Sequence, residues 1–402
     1  MWKFAFRNVF RHRTRTLLTL GAVAFGVISL IVSTGFIGDF LLQLREATIH
    51  SQYGHLQVYK RGYYELGRRA PYEYMIDDAG KWIAELERIE HVVAVTQRIN
   101  LSGLLSNGRT TYPVIGEGVD PIKEQRLSNY MRFIEGQQFA NDAQFSIIIG
   151  QGVANALNLK VGDSAILLVN TRGGALNTFD FKVVGIFQSF SKEYDDRAVR
   201  IPLTSAQELL ATQAAHSLVF LLSDTSYTDE VAREVASRLP QANFEIKRWL
   251  DLADFYQKSV ELYRRYFTVL YLIILGLVLL SVANNVNMTI YERTGEFGTL
   301  LALGNRSRSV FKLIVQESLF LGLVGATLGL AIGIVIALVV SAIGLPMPPM
   351  PNTNSGYVAH IQIVPREVIT AFAIGLFSTV GAALLPACRA SRLSIAEALR
   401  HN

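Results

Sequence analysis

Two glutamates, Glu292 and Glu296, lie four residues apart in a short segment between two long apolar stretches. Side chains at this spacing share one face of a helix. A helix that offers carboxylates together with apolar side chains is suited to docking into a groove of a soluble partner. A solvated turn close to a membrane is the alternative. The residues predicted to make the contact are Glu292, Arg293, Glu296, Phe297, Gly298, Leu300, Leu301 and Gly304, with Gly304 ending the helix.

Elsewhere, the histidines and aspartates that could carry out catalysis or bind a metal do not have the spacing that a catalytic or metal site requires. His50 and His55 fit neither a helical zinc pair nor a common metal motif, so we expect satisfied surface histidines. Asp195 and Asp196 are adjacent, and in a strand their carboxylates would point to opposite faces. The sequence has no G-x-x-x-x-G-K-[ST], H-E-x-x-H or G-x-S-x-G motif. We therefore predict no catalytic residue, cofactor site or metal site, and a chain that is not an enzyme.

The composition indicates a membrane protein. Apolar residues make up 50% of the 402 residues and charged residues 18%, against about 25% charged in soluble domains. The apolar residues concentrate in four blocks, and about 20 such residues cross a bilayer core. The predicted spans are 17–40, 267–290, 310–345 and 368–387. The first run is longer than the core of a signal peptide, which favours an uncleaved span.

The positions of Lys and Arg predict the orientation. Basic residues cluster in 1–16, in the loop 291–309 and in the tail 388–402, whereas 344–365 contains none. Cytoplasmic segments carry the excess of basic residues, so both termini and the 291–309 loop are predicted to be cytoplasmic. Residues 1–16 have the pattern of an amphipathic helix lying on the inner leaflet. Because the basic residues flank the spans, no nucleic-acid partner is expected.

The segment 41–265 reads as an α+β domain on the outer side of the membrane. Alternating apolar residues predict nine strands, from 55–59 to 244–249, and four helices. Ser205 and Glu208 fit a capping box at the start of one helix. The last strand, helix and strand, 217–249, predict a β-α-β unit. The second loop outside, 346–366, is rich in proline, and 252–265 is helical in pattern and leads into the second span.

Polar and small residues within the predicted spans form a second candidate site. Polar side chains are costly at bilayer depth, and a dimer-interface or gating role is one of two equally weighted interpretations. Hydrogen bonding between helices near the cytoplasmic surface is the alternative for the asparagines. Glycines at three- and four-residue steps share a face on which another helix can approach closely. The predicted set is Asn284, Asn285, Gln316, Glu317, Gly322, Gly325 and Gly329.

Several segments resemble the MacB/FtsX/LolC-type ABC transporter permeases. The run Glu292–Gly298, continuing to Ala302-Leu303-Gly304, is similar to the signature of that family. So are the intramembrane Gln316-Glu317-Ser318, the tail segments 389–393 and 397–400, and the run 149–163. The sequence departs from the family pattern at Phe297, where isoleucine is usual, at Leu301, where a basic residue is common, and at Ile395, which replaces a frequent proline. The length and the segment 54–58 resemble the LolC/LolE-like branch.

The resemblance implies a membrane α-helical fold with four transmembrane helices plus an α+β periplasmic domain that has porter-like and strand-rich subdomains. It implies a multi-pass protein of the bacterial inner membrane that works with a second permease copy or a paralogue. A cytoplasmic ABC ATPase dimer would bind ATP and Mg and receive the Glu292–Gly304 helix. ATP-driven motion would then reach the periplasmic domain.

The resemblance leaves several tasks open. Lipoprotein release or related cell-envelope export is favoured, with a lipoprotein, lipid or peptide as substrate and a periplasmic chaperone or adaptor as a further partner. One alternative is a MacB-like drug or peptide efflux permease that uses a periplasmic adaptor. Another is an FtsX-like regulator of a cell-wall hydrolase.

Overall fold

The computed structural model describes residues 13–67, 69–127, 130–140, 144–240, 242–349 and 356–392. The amphipathic helix predicted for 1–16 lies mostly outside these residues, as do most of the tail and part of the proline-rich loop. The chain divides into two compact units. The membrane unit comprises 1–41, 260–346 and 358–402, and the globular unit comprises 42–259 and 347–357.

The described residues form the following elements. The helices are α1 (Arg13–Thr48), α2 (Tyr63–Leu66), α3 (Ala79–Leu86), α4 (Pro121–Leu127), α5 (Gln151–Leu157), α6 (Lys192–Asp195), α7 (Leu203–Leu209), α8 (Thr228–Arg238), α9 (Trp249–Leu252), α10 (Asp254–Glu292), α11 (Thr294–Ala302), α12 (Ser307–Ile343) and α13 (Pro365–Ala390). The strands are β1 (Leu56–Lys60), β2 (Val92–Ser106), β3 (Thr111–Val119), β4 (Arg132–Gly136), β5 (Ser146–Gly150), β6 (Ser164–Asn170), β7 (Leu176–Gln188), β8 (Ala198–Pro202), β9 (Ser217–Leu222), β10 (Phe244–Arg248), β11 (Leu345–Met347) and β12 (Tyr357–Ala359).

Four of the described helices, α1, α10, α12 and α13, are long and apolar enough to cross a membrane. This agrees with the prediction of four transmembrane helices. Two of them extend well past the predicted spans: α1 continues to Thr48 and then through a π-helical turn, Ile49–Tyr53, and α10 begins at Asp254. The segment leading into the second span is therefore helical, as its pattern predicted.

The globular unit contains a sheet of ten strands in the described residues. The order is β10-β1-β9-β2-β3-β8-β5-β7-β4, with β6 paired to both β2 and β7. The pairs β3–β8 and β5–β7 are parallel and the other pairs are antiparallel. Every residue of β5, β8 and β9 is buried, so these three strands run through the core of the domain. Strands β11 and β12 form a separate two-stranded sheet.

The strands predicted from alternation are present, but two local expectations were wrong. Ser205 does not begin a helix: α7 starts at Leu203, and the Ser205 hydroxyl accepts a hydrogen bond from the Phe145 amide instead. The adjacent aspartates lie at the end of a short helix and not in a strand, with Asp195 buried and accepting from the Ser189 amide. The predicted β-α-β unit is present as β9-α8-β10: its two strands are parallel, and β1 lies between them.

Candidate coupling site

The segment between the second and third long helices forms a short helix with defined ends. At Arg293 the backbone leaves the helical region (φ −104°, ψ 13°), so α10 ends and α11 begins at a bend. Glu292 and Glu296 therefore lie on two helices, and the prediction that they share one helical face was wrong. At the other end Gly304 has φ +88°. Its amide donates to the Leu301 carbonyl and the next amide donates to the Leu300 carbonyl, both at 3.1 Å, which is a Schellman termination.

An ion cluster connects this bend to the third long helix. Arg293 Nη1 lies 3.0 Å from both carboxylate oxygens of Glu317, and Arg293 Nε donates to Glu296 Oε2 at 2.9 Å. Arg293 and Glu317 are each 9% exposed, whereas the Glu296 side chain is 46% exposed. Arg293 thus links an exposed carboxylate on α11 to a buried carboxylate on α12. Glu317, for which the sequence predicted a costly polar position, has its charge compensated within the chain.

Phe297 is not the exposed anchor that the sequence predicted. Its side chain is fully buried in the apolar core of the membrane unit, and the Arg293 guanidinium lies 5.1 Å from the centre of its ring. Gly298 is buried on the same side of α11, and Leu300 and Leu301 are half-buried. The inner face of α11 therefore packs on its own chain, and Phe297 fixes the helix in place instead of presenting it.

The outer face of α11 carries a different set of side chains. Glu296 and Thr299 are exposed, and Leu303 is 76% exposed at the end of the helix. Glu292, also exposed, is the last residue of α10, before the bend. Leu303 is not among the predicted contact residues, because a leucine beside a helix-ending glycine reads as part of the termination signal. The arrangement offers a partner one large apolar side chain and negative charge.

The other polar residues predicted in the spans differ in their exposure. Asn284 is exposed on α10 and Asn285 is half-buried. The side-chain oxygen of Gln316 is buried without a hydrogen-bond partner among the described residues. These residues lie on different sides of their helices, and their predicted role at a dimer interface or gate stays a prediction.

The glycines of α12 pack against helices of the same chain. A Cβ added at Gly329 would lie 2.8 Å from the Ala24 carbonyl oxygen and from Val27 Cβ in α1. One at Gly325 would lie 3.0 Å from Val23 Cβ, and one at Gly322 3.0 Å from Thr379 Cβ in α13. The predicted close helix approach therefore occurs, but its partners are α1 and α13, which corrects the assignment of these glycines to a dimer interface.

Of the two histidines near the start of the sheet, His50 is half-buried and His55 is not a surface residue. His55 is buried, its Nδ1 accepts from the Leu222 amide at 3.2 Å, and burial lowers its pKa to about 4. The rings of His50 and His55 meet edge to face with centroids 5.5 Å apart. Across the described part of the chain, no three His, Cys, Asp or Glu side chains are grouped so that they could hold a metal ion.

Comparison with known proteins places these features in a family. The model of the MacB-like periplasmic core domain matches residues 16–238, and that of the FtsX-like permease C-terminal region matches 268–395. The lipoprotein-releasing system transmembrane protein LolE of Haemophilus influenzae is 21% identical over 328 residues, which cover 78% of this chain and 79% of that protein. LolC of Neisseria meningitidis is 22% identical over 411 residues, covering 96% of this chain and 94% of that protein. The macrolide export ATP-binding/permease protein MacB of Hyphomonas neptunium is 27% identical over 418 residues, covering 99% of this chain and 60% of that protein.

The matched families agree with the two units of the structure. The periplasmic core model alone covers more than half of the chain and contains the ten-stranded sheet, apart from β10. The permease model covers α11, α12 and α13 and most of α10. The chain therefore belongs to the MacB- and FtsX-like family of ABC transporter permeases, as a multi-pass membrane permease of the type VII class.

Proposed function

We propose that this permease transmits ATP-driven motion from a separate ATPase to its periplasmic domain, in lipoprotein release or a related export task of the cell envelope. The continuity of two helices supports this proposal. Helices α1 and α10 each run without interruption through residues of both compact units. A helix that is hydrogen-bonded along its whole length moves as one element, so a displacement at its membrane end reaches the domain.

The proposal assigns the partners as follows. An ABC ATPase dimer on the cytoplasmic side binds ATP and Mg and contacts the outer face of α11. A second permease, either a copy or a paralogue, completes the complex, and both termini are cytoplasmic. The distribution of Lys and Arg supports this orientation, because the loop that contains α11 is basic at Arg293, Arg306, Arg308 and Lys312.

The observation that carries the coupling site is the contrast between the two faces of α11. Phe297 and Arg293 fix the inner face, while Glu296 and Leu303 stand exposed on the outer face. An exposed leucine surrounded by polar residues is suited to a pocket in a partner protein. With its inner face anchored and its outer face exposed, α11 can pass a displacement from a bound partner to the helices it packs on.

Two substitutions test this assignment. Glu296→Lys reverses a charge on the contact face, and Leu303→Asp removes the apolar contact without touching the Arg293–Glu317 pair. We expect both to reduce co-purification with a co-expressed cognate ABC ATPase and to reduce transport per ATP hydrolysed. Glu367→Lys, at an exposed glutamate in the first turn of α13, serves as the control and should change neither. Full ATPase association and full transport in both contact-face variants would show that α11 is not the docking element.

A second candidate function is drug or peptide efflux through a periplasmic adaptor. The similarity to a macrolide export protein over 99% of this chain favours it. The two functions differ in their soluble partner and cargo. Release of a radiolabelled lipoprotein from proteoliposomes supports the first proposal, whereas capture of a periplasmic adaptor together with increased drug resistance in cells supports the second.

A further inference from the structure

A group of charged and polar side chains is buried in the middle of the globular unit. Its members are Arg98 on β2, Glu117 on β3, Glu124 on α4, Tyr194 on α6 and Arg200 on β8. Arg200 is 0% exposed and Glu124 is 1% exposed. Removing a charge from water is expensive unless it is paired and hydrogen-bonded. The positive charges of the two arginines equal the negative charges of the two glutamates. Removing any one of the four would leave an uncompensated charge in the group.

The sheet register brings the members together. Glu117 lies beside Arg200 on the neighbouring parallel strand, and the two side chains approach to 2.9 Å. Arg200 Nη1 donates to Glu124 at 2.8 Å, and Arg98 Nη2 lies 3.3 Å from the same carboxylate oxygen. The Tyr194 hydroxyl donates to Glu117 at 3.1 Å and accepts from Arg200 Nε at 3.3 Å. Glu124 therefore contacts both arginines, and Glu117 contacts Arg200 and the Tyr194 hydroxyl.

The two arginines also hold the end of α1. Arg200 Nη2 donates to the carbonyl of Ser51 at 2.8 Å, and Arg98 Nη1 donates to the carbonyl of Gln52. Both carbonyls belong to the π-helical turn that continues α1. The last carbonyls of a helix lack partners within it, and cations are favourable at that end. The chain then enters β1 directly after Gly54 (φ +64°), so the turn is fixed by the arginines and by the sheet.

The start of α10 is joined to the same unit in a weaker way. Helix α9 and α10 are separated by Ala253, whose backbone (φ −94°, ψ 64°) is not helical. The nearest ion pairs are those of Arg248 with Asp229 and Asp251, and the Arg248 side chain is close to half exposed. Such surface pairs contribute ~0–1 kcal/mol. The other contacts are mainly apolar: the Trp249 and Tyr256 rings are 5.0 Å apart, and Trp249 and Ala253 are buried together with Ile49 of the π-helical turn. One hydrogen bond, from the Gln257 side chain to the Leu250 carbonyl, also spans the break.

We propose that Arg98 and Arg200 are positioning residues that make the end of α1 and the central sheet one rigid body. Motion then enters the periplasmic domain through α1, while α10 pivots at Ala253. The inference deepens the proposed function and rests on it for its biological meaning. Its structural content, one stiff joint and one pivot, is measurable without any transport assay.

Pulsed electron spin resonance on the full chain in nanodiscs tests the two joints. In a Cys388→Ser background, one spin label is placed at exposed Leu42 near the end of α1, or at exposed Lys258 near the start of α10, and the second at exposed Ser102 on β2. We expect a narrow Leu42–Ser102 distance distribution and a broader Lys258–Ser102 distribution. Equal widths for the two pairs would overturn the proposal.

Substitution of the buried arginine should convert the stiff joint into a loose one. Arg200→Met is expected to broaden the Leu42–Ser102 distribution, whereas Arg200→Lys should restore part of the narrowing. The control Arg248→Met removes an arginine at the other joint and should leave that distribution unchanged. If Arg200→Met does not fold, Glu124→Gln gives the same readout while keeping the side-chain shape. A narrow distribution in a folded variant of the buried group refutes the role of the arginines.

Transport measurements separate this inference from the proposed function. With the ATPase present, Arg200→Met should retain ATP hydrolysis and lose transport, because the force no longer reaches the sheet. Leu303→Asp addresses coupling to the ATPase and should leave both label distances as in the unsubstituted chain. Normal transport in Leu303→Asp counts against the proposed function alone, and unchanged label widths in Arg200→Met count against the rigid joint alone.

Discussion

Replacement of Glu317 by glutamine tests the coupling site at its least exposed charge. In the structure one nitrogen of Arg293 lies 3.0 Å from both oxygens of Glu317, and both residues are 9% exposed. Glu317→Gln keeps the shape of the side chain and one acceptor oxygen but removes the charge. Glu296 is then the carboxylate that still pairs with Arg293. Its side chain is 46% exposed, so solvent screens this pair strongly.

The expected cost follows from the burial of the pair. Breaking a buried ion pair by removing one partner costs about 3–5 kcal/mol, because the remaining charge is left without compensation. Because the glutamine oxygen and Glu296 still contact Arg293, we expect a loss of unfolding free energy near the lower end of this range, at about 3 kcal/mol. Glu261→Gln, which breaks an exposed pair with Arg265, should change the free energy of unfolding by less than about 1 kcal/mol.

A double-mutant cycle with Arg293→Met gives the interaction energy directly. Reversible unfolding in mixed detergent micelles measures the free energy for each single variant and for the pair. Residues in direct contact show coupling of about 0.5–3 kcal/mol, and we expect a value in the upper half of that range. If the two single effects simply add, the ion pair does not fix α11 to α12. Unimpaired ATPase coupling in a folded Glu317→Gln protein would likewise contradict the reasoning.

Three further outcomes are expected. Gly329→Val should lower the thermal stability of the membrane unit because its Cβ would meet the Ala24 backbone at 2.8 Å, whereas Gly381→Ala, with nothing within 4 Å, should not. Burial lowers the pKa of His55 and His216 from 6.5 to about 4, so the unfolded chain binds more protons between these values and stability is lost as pH falls through that window, by at most about 3 kcal/mol per histidine. Histidine-to-glutamine variants should flatten this dependence in unfolding experiments. Arg293→Lys keeps the charge but not the planar fork that contacts two carboxylates, so ATPase-coupled transport should fall although the protein stays folded.

Much of the fold follows from the sequence because its signals are local. Long uncharged runs predict the four membrane helices, and alternating apolar residues predict most strands of the sheet. Strand β4 was missed because its residues are mostly exposed and its pairing with β7 contains a register shift. The helical continuation of α1 beyond residue 40 was missed because Gln43, Arg45 and Glu46 give it the composition of an ordinary domain.

The candidate site could be located from the sequence but not oriented. The motif and Gly304 predict a short helix between two spans, and the helix is there. Which face of it is buried depends on the positions of α10 and α12, which no local pattern encodes. Phe297 and Leu303 are both apolar, yet one is fully buried and the other is 76% exposed. For the same reason the pairing of Arg293 with Glu317, distant in the sequence, had no local signal.

The ion clusters around Arg293 and Arg200 share one arrangement. In each, a guanidinium at a helix end is shared between carboxylates, at Arg293 with Glu296 and Glu317, and at Arg200 with Glu117 and Glu124. Apolar side chains of similar volume would stabilise the fold at least as well as either ion cluster. Stability alone therefore does not account for the buried charges. Directional contacts to several acceptors do define one geometry, and any displacement leaves a buried carboxylate uncompensated. If the chain transmits motion as proposed, such stiffness at its joints matters more than additional stability.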